Sequence, residues 1–157
     1  MDKLNKYDII FIKDIIINLY KNIRIFLRCE YMSKELSTMN NFEKKIENYR
    51  PLKRLKTSLE YRLCQTLDPE ERKVLKNKCL ELKATLKIIE CAVETLKDKP
   101  EYEVVYYSYI KEGWERKSVQ EIAQELYLSL DFTYAKRKSG KDKVNAFLRY
   151  IYYSLVS

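Results

Sequence analysis

Histidine is absent from this chain, and glycine, proline and tryptophan are scarce: the 157 residues include two Gly, three Pro and one Trp. Without His the chain lacks the usual general base, the usual activator of a Ser or Cys nucleophile and the commonest zinc ligand. It also has no Gly-rich phosphate loop and no recognisable pair of catalytic carboxylates. We therefore expect neither an enzyme nor a bound cofactor or metal. Few Gly and Pro favour helices, so an all-α fold is expected.

The four cysteines, Cys29, Cys64, Cys79 and Cys91, include no C-x-x-C pair. Zinc fingers and redox motifs need that spacing, so neither is expected. Cys79 and Cys91 fall within an apolar helical pattern, as thiols of a reduced core do. No small-residue cleavage site of a signal peptide follows the apolar N-terminal stretch. These features predict reduced thiols and a cytoplasmic protein.

Residues 1–30 are the most apolar part of the chain, and their spacing is helical. Lys13 and Asp14 interrupt the stretch, so no uninterrupted run of ~20 apolar residues suited to a membrane span exists. We expect an amphipathic helix that packs on the rest of the chain or on a partner subunit, with a strand as the alternative. A polar linker follows over 33–41. The apolar stripe consists of Ile9, Ile12, Ile16, Leu19, Ile23 and Phe26.

Changes in composition divide the chain into three expected parts: an N-terminal amphipathic segment with its linker (1–50), a helical hairpin (51–100) and a C-terminal helical domain (101–157). At the first boundary, Phe42, Ile46 and Tyr49 predict a short helix that Pro51 ends.

The dipeptide Asp68-Pro69 is the clearest helix start, because Asp caps a helix N-terminus and Pro suits the first helical position. Apolar residues then recur at steps of four and three and form a heptad seam that ends before Pro100. Such a seam either dimerises or folds back on a neighbouring helix. The connection at Asp68 is short, so we expect a hairpin with residues 52–67, and a monomer or small homo-oligomer. The seam comprises Leu75, Cys79, Leu82, Leu86, Ile89, Val93 and Leu96.

The net charge of +8 and the pI near 9.2 fit a polyanionic partner. Between residues 101 and 131 acids outnumber bases, and from Lys136 to Lys143 the balance reverses. A DNA-facing end and an opposite acidic face, open to a basic protein partner, would give that split. A second basic cluster lies on and just before the helix expected at residues 52–63. Its residues either contact phosphate or simply form a solvated helix face, and both interpretations stay open. Its members are Arg50, Lys53, Arg54, Lys56 and Arg62.

Residues 101–110 predict a packing helix that ends before Gly113, with Trp114 as a cover over the core. Its expected buried side carries Tyr102, Val105, Tyr106 and Tyr109.

Residues 118–138 predict two short helices joined by a tight turn. Ser118 caps the first helix, and Glu121 three residues later completes a capping box. Small Ala123 allows a second helix to cross closely. Tyr127 stands at a turn position that favours a left-handed backbone. The inward face of the first helix consists of Val119, Ile122, Ala123 and Leu126.

The second of these helices begins after Leu128, an apolar plug in the turn, and Ser129, its cap. It is expected to run to the basic segment 136–138 and to stop at Gly140. A separate last helix, with Val144, Phe147, Leu148 and Ile151 on one side, is expected after that stop. This is the pattern of a helix-turn-helix, whose second helix enters the major groove of DNA.

Residues 101–143 resemble the promoter-reading region four of bacterial sigma factors, and more closely the RinA/ArpU type of phage late-transcription regulators. Those proteins place a long helix before a C-terminal helix-turn-helix, as the segment 82–96 would here. The resemblance implies a regulator of bacteriophage or mobile-element transcription that acts on double-stranded DNA with host RNA polymerase. Two departures are Tyr127, where Gly or Asn is frequent, and Phe132-Thr133, which suggests a recognition helix shifted by one residue. The matching residues are Tyr109-Ile110, Gly113, Ser118, Glu121-Ile122-Ala123, Leu126, Leu128-Ser129, Thr133-Tyr134 and Lys136-Arg137-Lys138.

The expected DNA contacts divide into anchoring and reading groups. Ser129 and nearby backbone N–H groups would meet a phosphate at a helix N-terminus. For reading, Asp131 could accept a hydrogen bond from cytosine N4, Arg137 could pair with guanine, and Leu130 could contact a thymine methyl group. Thr133 and Tyr134 are expected to project toward base edges as well. Phosphate attraction independent of sequence is assigned to Lys136, Lys138, Lys141 and Lys143.

Two other functions stay open at this point. A phage DNA-packaging adaptor, like a small terminase subunit, also combines a helix-turn-helix with a coiled-coil element but forms a large stable ring. A protein-only helical interaction module built on the heptad seam would show no salt-dependent DNA binding.

Overall fold

The computed structural model describes residues 45–156, with side chains through Ile151, and these residues form helices without a strand. The described residues all belong to one compact unit. The predictions for the Ile-rich stripe, the 33–41 linker, Phe42 and Cys29 lie outside the described residues.

Five helices follow a short 3-10 turn at Ile46–Asn48. Helix α3 continues directly into a π-helical segment, Tyr106–Ile110. The helices are α1 (Tyr49–Gln65), α2 (Pro69–Glu94), α3 (Tyr102–Val105), α4 (Val119–Glu125) and α5 (Leu130–Val156).

Pro51 does not end a helix, contrary to the sequence-based expectation. It is the third residue of α1, which runs on from Tyr49 to Gln65. A proline is tolerated there because the first N–H groups of a helix have no acceptor within the helix. Pro51 therefore marks the start of a helix and not its end.

Helix α2 begins as its sequence predicts. The Asp68 side chain accepts a hydrogen bond from the Glu70 N–H at 3.1 Å, and Pro69 occupies the first helical position. All seven residues of the predicted seam are buried within the chain. Leu82, Leu86 and Ile89 belong to a cluster that also contains Tyr49 and Leu52 of α1. The seam is therefore covered by the chain's own residues.

One hydrophobic core joins the helices. Its buried cluster combines residues of α1 and α2 with Val105 of α3 and with Val144 and Leu148 of α5. Helix α5 packs against α2, α3 and α4. The 3-10 turn is also tied to α5, because the Asn145 amide accepts from the Ile46 N–H at 2.9 Å and donates to Glu47 at 3.0 Å.

Gly140 is not a helix stop either: α5 continues through it as a single helix to Val156. The expected break and separate last helix are therefore wrong. A Cβ atom at position 140 would overlap the Val105 Cγ2 methyl group and lie 2.9 Å from the Glu101 Cβ atom. Glycine is present because α3 crosses α5 at this point with no room for a side chain.

The predicted packing helix exists, but its register changes halfway. The Lys111 N–H donates to the Tyr106 carbonyl at 2.8 Å, a hydrogen bond that spans five residues. This π-helical turn rotates the following side chains relative to an α-helix. Val104, Val105 and Ser108 are the buried residues of this stretch, which confirms Val105, while Tyr102, Tyr106 and Tyr109 are only half-buried.

Candidate nucleic-acid interface

The start of α4 carries the predicted capping box. The Ser118 hydroxyl accepts from the Glu121 N–H at 3.2 Å, and the Glu121 carboxylate accepts from the Ser118 N–H at 2.8 Å. The Ser118 backbone N–H, Lys117 and the Ser118 hydroxyl lower the pKa of Glu121 to about 2. Ile122 and Ala123 are buried, so this short helix is fixed both at its cap and along its inner face.

The turn between α4 and α5 is tight and contains a left-handed residue. Tyr127 has φ 54°, the one positive φ of a non-glycine residue among those described. The Leu128 N–H donates to the Ala123 carbonyl at 2.9 Å, which closes the end of α4. The prediction of a left-handed backbone at Tyr127 is confirmed, and Leu128 is half-buried in the turn.

Ser129 caps α5, as predicted. Its hydroxyl accepts from the Phe132 N–H at 3.3 Å. Two capped helices thus meet at a turn of a few residues. The N-terminal end of α5 is set outward, because Ser129, Leu130 and Asp131 are all exposed.

Thr133 does not project toward a ligand, and its assignment as a base contact is wrong. Its side chain is 0% exposed, and its hydroxyl donates to the Ser129 carbonyl at 2.8 Å. The helix presents this face to the interior, so Thr133 secures the first turn of α5.

The outward face of α5 holds the other predicted reading residues. Leu130 is 42% exposed and Tyr134 is 54% exposed. Asp131 and Lys138 are exposed as well. At 3.6 residues per turn, Asp131, Tyr134 and Lys138 lie on one side of the helix, opposite the buried Thr133, Gly140 and Val144.

Arg137 lies toward the π-helical segment and not on that outward face. Its guanidinium carbon is 5.3 Å from the centre of the Tyr109 ring, and its Nε is buried without a hydrogen-bond partner. The pKa of the nearby Arg50 lies below its ordinary value. Burial lowers this pKa most, the positive charges of Arg137 and Arg54 lower it further, and the negative charge of Glu115 only partly opposes them. Arg137 is therefore placed to pack against the body of the protein. This position does not support the prediction that Arg137 contacts guanine.

The lysines that follow are partly engaged within the chain. Lys143 forms an ion pair with Glu101 at 2.8 Å, and Lys141 one with Glu47 at 3.5 Å. The Lys136 ammonium lies 5.2 Å from the centre of the Phe132 ring. Lys138 is the member of the predicted phosphate-binding set that is most clearly directed outward.

Glu101 has an unusual setting for a carboxylate. It is 3% exposed, and its Oε1 accepts from Lys143 and from the Ser139 hydroxyl at 3.2 Å. Burial raises its pKa, but the hydrogen bonds from Lys143, from its own backbone N–H and from Ser139 outweigh that effect, so the pKa lies below its ordinary value. This contact holds the start of α3 on α5.

Four of the five residues in the basic cluster of α1 make contacts within the chain. The Arg50 guanidinium donates to the carbonyls of Ser108 at 2.9 Å, Tyr107 at 3.2 Å and Lys111 at 3.1 Å, and so caps the π-helical segment. Lys53 pairs with Glu112, Lys56 with Glu60 and Arg62 with Glu71. These contacts favour a structural role for the cluster over phosphate binding.

The loop from Lys111 to Lys117 joins the π-helical segment to α4. Trp114 is half-buried, and its ring meets Tyr107 edge to face, with centroids 4.9 Å apart. Lys111 lies 3.7 Å above the Tyr107 ring. Trp114 thus covers this end of the protein, with Gly113 at φ 77° providing the bend before it.

No family model, curated protein or solved structure matches this chain. Along 45–156, none of the helices has both the length and the apolar character needed to cross a membrane. The same part of the chain contains no cluster of three or more Cys, Asp or Glu side chains arranged to hold a metal ion. Cys64, Cys79 and Cys91 are free thiols. The interpretation of the surface therefore rests on its geometry.

The structural roles of Arg50 and Gly140 were missed by the sequence analysis. Arg50 lies 58 residues from Ser108, and no local pattern signals a contact over that separation. Gly140 did carry a signal: it is a glycine between segments that are both helical in pattern, and such a residue often marks a close packing site.

Proposed function

We propose that this chain is a sequence-specific double-stranded DNA-binding regulator of transcription. In this proposal α1 and α2 form a helical hairpin that supports a C-terminal helix-turn-helix made of α4 and α5. The observation that carries it is the α4–turn–α5 unit. Two capped helices meet at the left-handed Tyr127, and the N-terminal end of α5 stands exposed beyond them.

The exposed N-terminal half of α5 has the chemistry of a recognition helix. Ser129 and the first N–H groups of α5 would face a phosphate at the positive end of the helix dipole. Asp131 would accept a hydrogen bond from cytosine N4, and Leu130 would contact a thymine methyl group. Tyr134 and Lys138 extend the same face. Lys136, Lys141 and Lys143 would supply weaker attraction to phosphates at its sides.

The biological role within this proposal follows the resemblance to region four of sigma factors and to RinA/ArpU regulators. It is the activation of phage or mobile-element genes together with host RNA polymerase. The net charge of +8 supports a DNA partner in general, since it favours association with a polyanion.

The test is fluorescence anisotropy with a duplex selected for binding and a scrambled duplex, over a range of salt. Asp131→Ala should lose about 1–3 kcal/mol on the selected duplex and much less on the scrambled one, because base contacts discriminate. Lys138→Ala should weaken both alike and flatten the slope of log K against log salt by about 0.9.

Lys76→Ala is the matched control, because Lys76 is an exposed lysine on α2, away from the proposed interface. It should leave both duplexes bound as before. Absence of salt-dependent binding by the unaltered protein would exclude the DNA-binding proposal and favour the protein-only module.

A further inference from the structure

Tyr127 combines a costly backbone conformation with an exposed side chain. Its φ of 54° is a conformation that costs an L-residue about 1–2 kcal/mol and that glycine adopts freely. Its side chain is nevertheless 96% exposed, so packing of the phenol ring within the chain does not compensate for that cost. A large aromatic side chain is thus held in solvent at a position where a glycine would fold more easily.

The position of Tyr127 is two residues before Ser129, the cap of α5. The side chain therefore stands next to the positive end of the α5 dipole, where anions are attracted. When the N-terminal end of a recognition helix enters the major groove, the residues just before it stand at the groove edge, which phosphates line. A tyrosine hydroxyl is one of the donors that proteins use for phosphate oxygens.

We propose that the Tyr127 hydroxyl donates a hydrogen bond to a DNA phosphate at the edge of the groove that α5 enters. This rests on the proposed function and adds a contact that fixes α5 in position without reading sequence. The left-handed conformation that ends α4 leaves the phenol directed away from the protein, where it can meet that phosphate.

Two measurements distinguish this contact from the phosphate contacts of the lysines and from the base contacts: the salt slope and the comparison of duplexes. A phenol is neutral and displaces no counterion, so its removal should leave the salt slope unchanged. A phosphate is the same on every sequence, so the loss should be equal on all duplexes.

The experiment measures Tyr127→Phe and Tyr127→Gly by anisotropy on the selected and scrambled duplexes, over a range of salt. Each should weaken binding by about tenfold on both duplexes, as expected for a hydrogen bond to a charged acceptor, with an unchanged salt slope. Tyr127→Gly suits the left-handed turn, so its loss of binding cannot be attributed to unfolding; circular dichroism checks the helix content of both variants.

Tyr61→Phe is the matched control, because Tyr61 is a 67% exposed tyrosine near the far end of α1. It should bind like the unaltered protein. Unchanged binding by Tyr127→Phe overturns the proposal while leaving the DNA-binding function intact, and so does a loss confined to the selected duplex, which would indicate a base contact. Absence of salt-dependent binding by the unaltered protein overturns both.

Discussion

At the scale of single residues, Tyr127 makes a prediction about stability that is separate from its role in binding. Tyr127→Gly relieves about 1–2 kcal/mol of backbone strain and adds about 0.5–1 kcal/mol of entropy to the unfolded chain. Thermal denaturation should therefore find the variant as stable as the unaltered protein, or more stable by up to about 1.5 kcal/mol. Lys83→Gly, at an exposed position in the interior of α2, is the control and should lose about 1 kcal/mol. A comparable loss at position 127 would contradict the left-handed turn.

Glu101 makes a prediction about pH. Its pKa in the folded protein is lowered, so the stability it contributes is present at neutral pH and is lost as the pH falls through that lowered pKa. Glu101→Gln should reduce the free energy of unfolding by about 1–2 kcal/mol at pH 7 in urea denaturation. The difference should shrink on acidification. Glu103→Gln, which changes an exposed acid two residues further along in α3, should have little effect at either pH. An undiminished difference at low pH would exclude a charge effect.

The residues that sequence predicts well are those whose partners are near in the chain. The capping box needs only Ser118 and Glu121, and the α2 cap needs only Asp68 and Glu70. Thr133 and Arg137 were misplaced because their orientation depends on the side of α5 that meets the other helices. Spacing within one helix fixes which residues share a face, but it does not fix which face is buried.

At the scale of helices, the crossing of α3 and α5 depends on Gly140. Gly140→Ala would gain about 1 kcal/mol of helix propensity in an open site. Here the new Cβ meets Val105 and Glu101, so we expect a net loss of about 1–3 kcal/mol in chemical denaturation. In a double-mutant cycle, Val105→Ala should reduce the cost of Gly140→Ala, because it removes the methyl group that the new Cβ meets. Additive losses would show that the crossing is not the cause.

Pro51 and Gly140 show why helix boundaries were harder to predict than helices. Both residue types end helices when they stand alone in a pattern. Pro51 instead lies in the first turn of α1, and Gly140 lies where α3 crosses α5. A distant residue also meets the end of the π-helical segment, where Arg50 donates to three carbonyls. These determinants come from distant segments, and a local pattern does not contain them.

At the scale of the whole molecule, the prediction concerns the number of subunits. The seam from Leu75 to Leu96 is buried within the chain and is not free to form a coiled coil with other copies. Sedimentation velocity should therefore find a monomer or a small homo-oligomer. A ring of eight or more subunits would contradict the regulator proposal and favour the packaging adaptor.

The core that joins α1, α2, α3 and α5 also explains how much of the whole was predictable. Its members in α2 follow the heptad spacing, and the all-helical class of the described residues follows from the scarcity of glycine and proline. Val105 and Val144 join the same cluster from helices that the sequence assigned to a separate part. Packing between distant helices determines which residues share one core, and the composition along the chain does not predict such packing.

The contact between Trp114 and Tyr107 makes the protein its own optical reporter. Trp114 is the sole tryptophan of the sequence, so excitation at the red edge of protein absorption selects one indole. That ring meets Tyr107 at 4.9 Å and has the Lys111 ammonium 5.2 Å from its centre. Its emission wavelength and quantum yield will therefore follow the loop in front of α4, so the proposed binding of DNA can be tested there without attaching a dye.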